Sequence, residues 1–521
     1  MTELIPTKAT FAPDEPIEVE VRGDAATVSL WRLERKVAEV EPSDGVARFA
    51  SQPEGGYGVE GGGATSALDV LADPLSRARY GFVARYDAGR PTEGVIDNVR
   101  RLHLNAMQFY DWMYRHADLV PPRDDFEDAL GQTISLDTVR RLASSIGAAG
   151  SLPMAYAAVY AVGEEAWPEW EPEGLFRADG SPWTLGDFLW NVDPSAERWM
   201  SHFVDDLRAT LAAVEFKGFH LDQYGAPKRA LRKDGTVVEL EEAFPALLER
   251  LAIDVPEARM IFNNVNDFPT WTTARATQSA IYIEVWAPSV ELGQLADIVT
   301  AARSYAPEKA VILAAYLSSY RGDEAAASAA ERLQHAVVFS HGGTVLLHGE
   351  ERNVLTEAYY VSNKEISPES SDATRRCYDF AVRYGDLLFD RESVDVTHTY
   401  LGGENVEVKV EAPVRVSIDC EPGALWARVI RTKEGLLVSL IDLSAQEDDL
   451  WDAPKRPATP LSGVRVAVER VRHDAPRFDF AEPDGTPGLT RLSSNFDGRH
   501  DIVELPPFAP WSLLLIREEE V

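Results

Sequence analysis

Residues 218–225 read GFHLDQYG, a short apolar run that ends in the polar side chains of Asp222, Gln223 and Tyr224. This run follows AERWMSHFVDDLRATLAAVE (196–215), in which apolar residues recur at helical spacing. A short, fully apolar strand next to an amphipathic helix is typical of parallel sheets that are covered on both faces. The two segments therefore predict one helix–strand unit of an α/β domain.

The same unit recurs along the middle of the chain. Seven further apolar runs alternate with helical stretches: YGFVARYD (80–87), LNAMQFYDW (104–112), LPMAYAAVYAV (152–162), ARMIFNNVND (258–267), AIYIEVW (280–286), KAVILAAYLS (309–318) and TVLLHGEE (344–351). A doubly wound open sheet is one arrangement that fits this pattern. We favour a closed (β/α)8 TIM barrel because the strands number eight and no glycine-rich phosphate turn follows the first.

The chain on either side of this region is predicted to be β-structure. In residues 1–73, IEVEVRG, ATVSLWRL and VARFASQ alternate apolar and polar residues, which predicts an N-terminal immunoglobulin-like β-sandwich. After about residue 392, runs such as VTHTYLG (396–402), LLVSLIDL (436–443) and APWSLLLI (509–516) predict strands of a C-terminal β-sandwich. We expect three domains, with limits at 1–73, 74–391 and 392–521.

The charge of the chain limits its partners. The formal net charge is −34, from 85 acidic and 51 basic side chains. Such a surface repels nucleic acid and anionic membranes, so we expect neither as a partner. The negative charge does not repel neutral ligands such as sugars.

The cysteines and the N-terminal residues give three further expectations. Cys377 and Cys420 have no metal-ligand spacing, so we expect buried thiols and neither a metal site nor a cofactor. The opening residues MTELIPTKATFAPDEP lack a basic stretch followed by an apolar run, and no signal peptide is visible. We expect a cytoplasmic protein.

Polar residues cluster where the predicted barrel strands end, which is where TIM-barrel enzymes carry their active sites. The set includes Tyr110, Asp111, Trp112, Asp222, Gln223, Asn263, Asn264, Glu284, Trp286 and Glu350. Glycosidases use carboxyl groups to protonate a leaving group and to stabilise an oxocarbenium-like centre. Aromatic rings stack on pyranose faces, and amides hold hydroxyls. The chain has no Ser-His-Asp order, HExxH motif or P-loop.

Two carboxylates stand out in this set. Asp222 ends the fourth predicted strand and Glu284 ends the sixth, so their side chains can converge across the barrel mouth. A separation of about 5–5.5 Å would imply a retaining mechanism. His220 shares the face of Asp222 under strand alternation. A buried structural role and a hydroxyl-binding role are both open for this histidine.

A long segment after the third predicted strand is rich in tryptophan, with Trp167, Trp170, Trp183 and Trp190. Loops of this length are uncommon unless they are functional. We predict that these rings form a sugar-binding wall. The alternative is that they anchor the loop on the barrel.

Several segments resemble glycoside hydrolase family 66. They are LNAMQFYDWMYRH (104–116), GFHLDQYG (218–225) and AIYIEVW (280–286), with PTKATFAPDEPIEVEV (6–21) and PPFAPWSLLLI (506–516) at the two ends. The family contains endo-dextranases and cycloisomaltooligosaccharide glucanotransferases. The resemblance implies a β-sandwich, a barrel and a second β-sandwich, with α-1,6-glucan substrates and a retaining mechanism.

The resemblance also implies residue roles. Asp222 matches the family's nucleophile and Glu284 its acid/base, while Tyr110 and Asp111 match positions that line the subsite of the attacked glucose. Gln223, Asn264, Trp286 and Glu350 are carried over by their strand-end positions.

We therefore predict a retaining, endo-acting glycoside hydrolase of the dextranase type. Its substrates would be dextran-derived isomaltooligosaccharides, linear or cyclic, joined by α-1,6 bonds. Family glucanotransferases typically carry an inserted carbohydrate-binding module, and no such insertion is visible in the barrel region, which favours hydrolysis. Transglycosylation or cyclisation by the same two residues is the first alternative. A non-catalytic glucan-binding protein is the second, although binding alone requires neither carboxylate.

Overall fold

The computed structural model describes residues 2–471, 475–485 and 487–518. Antiparallel sheets near both ends of the chain flank a central parallel sheet, which confirms the predicted fold class. The precise domain limits of 1–73, 74–391 and 392–521 stay a prediction. Within the described ranges, no helix is long and apolar enough to span a lipid bilayer.

The N-terminal region is a pair of antiparallel sheets around a small core. A three-stranded sheet contains Glu3–Pro6, Ile17–Arg22 and Val46–Phe49, and a four-stranded sheet contains Arg35–Val40, Val28–Arg32, Gly55–Gly61 and Ala64–Val70. The two sheets share one hydrophobic cluster, which includes Val19, Tyr57 and Leu68. Apolar residues of Ile17–Arg22 are buried in alternation with more exposed ones, because successive side chains on a strand point to opposite faces.

The central sheet has eight parallel strands that are hydrogen-bonded in sequence order. They are β1 (Tyr80–Val83), β2 (Ala106–Phe109), β3 (Leu152–Ala158), β4 (Gly218–Asp222), β5 (Arg259–Val265), β6 (Ala280–Glu284), β7 (Ala310–Ala314) and β8 (Gly343–Val345). A doubly wound sheet would reverse its strand order at a switch point, and this one does not. The hydroxyl of Thr344 in β8 donates to the carbonyl oxygen of Ala78 just before β1, at 2.7 Å. The sheet is therefore nearly closed as a TIM barrel, as predicted.

One helix follows each barrel strand. The helices are α1 (Glu93–Arg101), α2 (Leu136–Ala148), α3 (Glu197–Ala213), α4 (Leu240–Asp254), α5 (Thr270–Thr273), α6 (Leu292–Tyr305), α7 (Glu324–Ser340) and α8 (Pro368–Arg383). They cover the outside of the strands. In β4 and β6 the first four residues are buried and only the last, Asp222 or Glu284, is partly exposed. Both carboxylates therefore stand at the barrel mouth.

The loops between these elements carry short strands and helices of their own. The strands are Asp125–Glu127, Thr133–Ser135, Ala161–Gly163, Thr184–Leu185, Leu189–Asn191, Arg229–Leu231, Val237–Glu239, Asn353–Val354 and Lys364–Glu365, and the helices are Trp167–Trp170 and Gly385–Leu388.

The C-terminal region is a second pair of sheets. The larger sheet contains Val394–Asp395, Arg415–Ser417, Ala424–Thr432, Gly435–Asp442, Trp511–Arg517, Arg477–Ala481 and Thr490–Leu492, and the smaller contains Val408–Glu411, Arg465–Glu469, His500–Glu504 and Asn495–Phe496. The predicted strand VTHTYLG is wrong, because Thr397–Tyr400 is a short helix. The side chain of Asp395 accepts a hydrogen bond from the backbone N–H of Thr397 and so satisfies a donor of the first turn.

The central strands of the larger C-terminal sheet are buried on both faces. Trp511, Leu513 and Leu515 belong to the barrel's hydrophobic cluster, whereas Leu514 belongs to the core shared with the smaller sheet. The ring of Trp511 packs edge-on against Phe380 of α8, with centroids 5.0 Å apart. Burial on both faces accounts for the almost unbroken apolar sequence of these strands.

Candidate active site

A cleft of about 250 Å³ opens at the carboxyl ends of the barrel strands. Its lining includes Asp222 and Glu284 together with aromatic side chains from several strands. A larger cavity of about 1000 Å³ lies near the amino-terminal ends of β5, β6 and β7. Charged side chains in that cavity pair with one another, as Arg77 does with Asp386. Because TIM-barrel enzymes act at the carboxyl ends of their strands, the smaller cleft is the candidate active site.

The carboxylate of Asp222 receives two short hydrogen bonds. The hydroxyl of Tyr156 in β3 donates to Oδ2 at 2.7 Å, and Nδ2 of Asn263 in β5 donates to Oδ1 at 2.7 Å. Burial raises the pKa of Asp222, while these two hydrogen bonds act in the opposite direction. Donors to both oxygens also fix the orientation of the carboxylate within the cleft.

The carboxyl group of Glu284 is held by longer hydrogen bonds. Nδ2 of Asn263 donates to Oε2 at 2.9 Å, and the hydroxyl of Tyr316 donates to Oε1 at 3.1 Å. Burial, followed by the neighbouring charge of Asp222, raises the pKa of Glu284 to about 7. Asp222 has the shorter hydrogen bonds, so it is the better place for the negative charge. The proton that the pair retains near neutral pH is therefore assigned to Glu284.

One side-chain amide thus bridges the two carboxyl groups. Nδ2 of Asn263 lies 2.7 Å from Oδ1 of Asp222 and 2.9 Å from Oε2 of Glu284. These two oxygens can be no farther apart than the sum of those distances, about 5.6 Å. Retaining glycosidases place their carboxyl groups about 5–5.5 Å apart, and inverting enzymes need about 6.5–9.5 Å to admit a water molecule. At this pair of oxygens, the gap is too small for the inverting arrangement.

Tyrosine and histidine rings form the floor and one wall of the cleft. The rings of Tyr110 and Tyr360 stack with centroids 4.3 Å apart, and the ring of Tyr110 also lies 5.7 Å from that of Tyr156. His220 stacks between Tyr80 and Tyr156, and burial lowers its pKa to about 3. This histidine is therefore neutral and combines a buried position with a place in the cleft lining.

Asp111 follows β2 in a left-handed backbone conformation, with φ of 46°. Its side chain lines the cleft. Burial, then the charges of Asp128 and Asp222, raises the pKa of Asp111 to about 8. Asp111 is consequently a neutral hydrogen-bond donor near pH 7, which suits a contact with a sugar hydroxyl.

The family model described as glycosyl hydrolase family 66 matches residues 58–513, which is most of the sequence. The chain belongs to glycosyl hydrolase family 66. It is consequently an enzyme of the glycoside hydrolase type.

Similar proteins of known name support this membership. Two curated cycloisomaltooligosaccharide glucanotransferases from Niallia circulans are each 26% identical to this chain, over 314 and 294 residues. Those matches cover 53% and 50% of this chain but only 32% and 30% of the relatives. The chain therefore matches about a third of the length of these relatives.

Solved structures share the fold. A Paenibacillus sp. cycloisomaltooligosaccharide glucanotransferase, crystallised with cycloisomaltoheptaose, superposes with a TM-score of 0.88 at 19% identity, and covers 98% of this chain and 99% of its own. The maltogenic α-amylase AmyB from Thermotoga neapolitana superposes with a TM-score of 0.54 at 10% identity, over 86% of this chain and 100% of its own. Identities this low establish the architecture alone.

In this family 66 chain, most of the site residues predicted from sequence line the cleft: Tyr110, Asp111, His220, Asp222, Gln223, Glu284 and Trp286. Gln223 is buried, and its Nε2 donates to the carbonyl oxygens of Asn263 and Phe268. Its Oε1 accepts from the backbone N–H of Gly225. Gln223 therefore holds the loop after β4 in place.

Three of the predicted residues are not brought to the cleft, and a direct sugar contact does not fit their positions. Trp112 is fully buried, donates to the carbonyl oxygen of Tyr156 and packs against Phe216. The backbone turns at Asp111, so strand alternation does not continue to Trp112.

The other two are Asn264 and Glu350, which are both fully buried. Nδ2 of Asn264 donates to the carbonyl oxygen of Tyr282 in the neighbouring strand β6. The carboxylate of Glu350 accepts from Nη1 of Arg90 at 2.7 Å and from Nδ2 of Asn363 at 2.9 Å. These contacts tie the loop after β8 to the loop after β1.

The tryptophans of the segment after β3 do not form the predicted wall, since none of the four lines the cleft. Trp170 is buried against Trp199, and Trp167 stacks on Trp190. These contacts anchor the loop, which is the alternative role given for the tryptophans in the sequence analysis. The same segment instead contributes Leu185, Phe188 and Leu189 to the cleft lining.

Sequence reasoning missed four residues of the site: Asn263 as the bridge, and Tyr156, Tyr316 and Tyr360 as hydroxyl or ring partners. Asn263 pairs in register with Tyr282, which is two residues before Glu284, so strand alternation from Glu284 would have selected it over Asn264. The register itself is not legible in the sequence. Within residues 2–471, 475–485 and 487–518, no group of three or more His, Cys, Asp or Glu side chains could hold a metal ion.

Proposed function

We propose that this protein is a retaining glycosidase that acts on α-1,6-linked isomaltooligosaccharides, with Asp222 as nucleophile and Glu284 as acid/base. The observation that carries the proposal is the single amide of Asn263 that donates to both carboxyl groups. It limits one pair of their oxygens to at most about 5.6 Å, which supports a double-displacement arrangement over an inverting one. The substrate class is taken from the family relatives, which are named for cycloisomaltooligosaccharides.

In the first step, Oδ of Asp222 attacks the anomeric carbon of an α-linked glucose and forms a β-glucosyl ester. The bond from that carbon to the glycosidic oxygen breaks, and Glu284 gives its proton to the departing oxygen. A pKa of about 7 keeps Glu284 protonated for this task near neutral pH. The hydrogen bonds from Tyr156 and Asn263 meanwhile favour the ionised form of Asp222.

In the second step, the ester is opened from the opposite direction. Esterification removes the negative charge of Asp222, which is one cause of the raised pKa of Glu284. The pKa of Glu284 therefore falls, and its carboxylate takes a proton from water or from a sugar hydroxyl. The oxygen of that molecule bonds to the anomeric carbon, and Asp222 leaves as a carboxylate with the α-configuration restored.

The identity of the attacking molecule separates hydrolysis from transfer. We propose hydrolysis of linear or cyclic isomaltooligosaccharides as the main reaction. The glucanotransferase names of the relatives favour transfer as the second candidate. Cytoplasmic location stays a prediction.

Product analysis tests the proposal. The purified protein is incubated separately with dextran, linear isomaltooligosaccharides and cyclic isomaltooligosaccharides, and products are resolved by chromatography while proton NMR follows the anomer first released. We expect α-anomers and shorter linear oligosaccharides. Release of β-anomers would contradict retention, and larger or cyclic products would assign the chain to transfer.

A further inference from the structure

The rim of the cleft carries large apolar side chains that face solvent. Leu130 follows β2, Leu185 and Phe188 follow β3, and Trp286 follows β6, with exposed fractions between 37% and 45%. Exposed apolar side chains that line a cleft mark a ligand-binding surface more often than isolated ones do. Of the four, only Trp286 lies within two residues of the acid/base.

Trp286 contacts the acid/base through its neighbours. Its ring lies 5.7 Å from the ring of Tyr316, whose hydroxyl donates to Oε1 of Glu284. Burial and then the charge of Asp222 raise the pKa of Glu284, and the Trp286 side chain is among the smaller influences that lower it. The indole is thus next to the carboxyl group that protonates the leaving oxygen, and 40% of the residue is exposed.

The ligand that this position suits is a neutral sugar. The carboxyl groups of the cleft lining belong to Asp111, Asp128, Asp222 and Glu284, and the negative charge that the proposed mechanism requires is on Asp222. In the part of the chain that the structure describes, no lysine or arginine lines the cleft. An anionic ligand would therefore be repelled, whereas the apolar face of a pyranose ring can pack on an indole without charge.

We infer that Trp286 is the platform for the glucosyl unit on the leaving-group side, and that it holds the acceptor sugar when the ester is opened by transfer. The inference rests on the proposed function, because it uses Glu284 as the acid/base. A general acid must reach the glycosidic oxygen, so the departing sugar lies beside Glu284 and within reach of the indole. In transfer, the acceptor sugar occupies the same place, because its attack on the ester is the reverse of the first step.

The chemical consequence is a partition between two attacking oxygens. A hydroxyl of the sugar on Trp286 loses its proton to Glu284 and bonds to the anomeric carbon, while the ester bond to Asp222 breaks. Water follows the same course without needing the platform. Weakening the platform should therefore lower transfer more than hydrolysis.

A donor without a sugar leaving group isolates this effect. α-Isomaltotriosyl fluoride forms the ester by losing fluoride, which needs little acid assistance, and isomaltose is then added at increasing concentration as acceptor. Fluoride release gives the total turnover, and chromatography gives the ratio of transfer to hydrolysis. The variants are Trp286→Ala and Trp286→Phe, with Trp271→Ala as the matched control. Trp271 is 39% exposed, and its Nε1 donates a hydrogen bond to the carboxylate of Glu241. Neither residue lines the cleft.

We expect Trp286→Ala to raise the isomaltose concentration for half-maximal transfer about tenfold, equivalent to about 1.4 kcal/mol. Trp286→Phe keeps a ring and should change that concentration by less than about threefold, since most stacking area is retained. Trp271→Ala should behave as wild type. If the Ala variant does not fold, Trp286→Leu, which keeps apolar bulk without a ring, replaces it.

An unchanged ratio of transfer to hydrolysis in Trp286→Ala would overturn the inference while leaving the proposed function intact. Equal loss in the Phe and Ala variants would also overturn it, because the ring would not be the feature that matters. A wild-type protein that releases no fluoride would overturn the proposed function itself.

Discussion

Replacing Tyr316 by phenylalanine should raise the pKa of Glu284, the proposed acid/base. The hydroxyl of Tyr316 donates to Oε1 of Glu284 at 3.1 Å and lies 3.2 Å from the hydroxyl of Tyr360. Tyr316 is buried, and phenylalanine would keep its ring and its packing against Trp286. The substitution therefore removes the hydrogen bond to the carboxylate and the contact with the Tyr360 hydroxyl, while the packing of the ring stays.

The size of the shift follows from that hydrogen bond. A hydrogen bond to a charged group is worth about 1.5–3 kcal/mol, and one pKa unit corresponds to about 1.4 kcal/mol. Protonated Glu284 can itself donate to the Tyr316 oxygen, so only the difference between the two states counts. The lower end of the range applies, about one unit. Loss of a donor to the ionised form favours the protonated form, and the pKa of Glu284 should rise from about 7 to about 8.

The assay is kcat/KM on an isomaltooligosaccharide between pH 4 and pH 10. The alkaline limb of this profile reports the acid in the free enzyme, and it should move upward in Tyr316→Phe. A buried tyrosine far from the cleft, Tyr57, donates its hydroxyl to the carbonyl oxygen of Pro53 and provides the control Tyr57→Phe. An alkaline limb that stays in place or moves downward in Tyr316→Phe would refute the assignment of Glu284 and its hydrogen bond.

Three other perturbations follow from the same contacts. Asn263→Ala removes the donor shared by both carboxyl groups, and we expect kcat to fall about 100-fold, some 2.7 kcal/mol. A fall of less than threefold would show that the bridge is dispensable. Glu284→Gln should stabilise the protein at pH 8 but not at pH 4.5. The pKa of Glu284 is raised from its ordinary 4.5 to about 7, so its favourable contribution is complete below the lower value and is lost above the higher one, for a difference of at most about 3 kcal/mol. Urea unfolding of the wild type and the variant at both pH values measures this, and equal stabilisation at the two would contradict it. Arg90→Leu removes the nearer of two guanidinium groups that face the fully buried carboxylate of Glu350 and leaves Arg85, 3.9 Å away. It should cost about 3 kcal/mol of unfolding free energy, part of which Glu350→Gln in the same chain should restore. A cost below about 1 kcal/mol would contradict the role of this pair.

The strands and the two carboxylates could be predicted from sequence because burial leaves a direct mark on composition. Each barrel strand is covered by helices outside and side chains inside, so it reads as an unbroken apolar run. A charged residue ends such a run where the strand reaches solvent or where an opposite charge pairs with it. Asp222 and Glu284 are therefore conspicuous in the sequence as well as in the structure.

The same reasoning could not separate the bridging residue from the three predicted residues that lie outside the cleft. Asn263 and Asn264 are adjacent and chemically identical, and only the register of β5 against β6 turns Asn263 toward the cleft. Trp112 follows a residue with positive φ, which sequence does not reveal for an aspartate. Glu350 ends an apolar run in the sequence as Glu284 does. It lies in the loop after β8, however, where Arg90 from another loop pairs with it. Long-range pairing decided each of these cases.

Trapping the glycosyl-enzyme intermediate tests the central claim most directly. In Glu284→Gln, α-isomaltotriosyl fluoride can still form the ester, because fluoride leaves with little acid assistance, but the base that opens the ester is missing. Mass spectrometry of the digested protein should locate one added isomaltotriosyl group on the peptide that contains Asp222. An adduct on another residue, or turnover to β-configured product without any adduct, would contradict the double-displacement account.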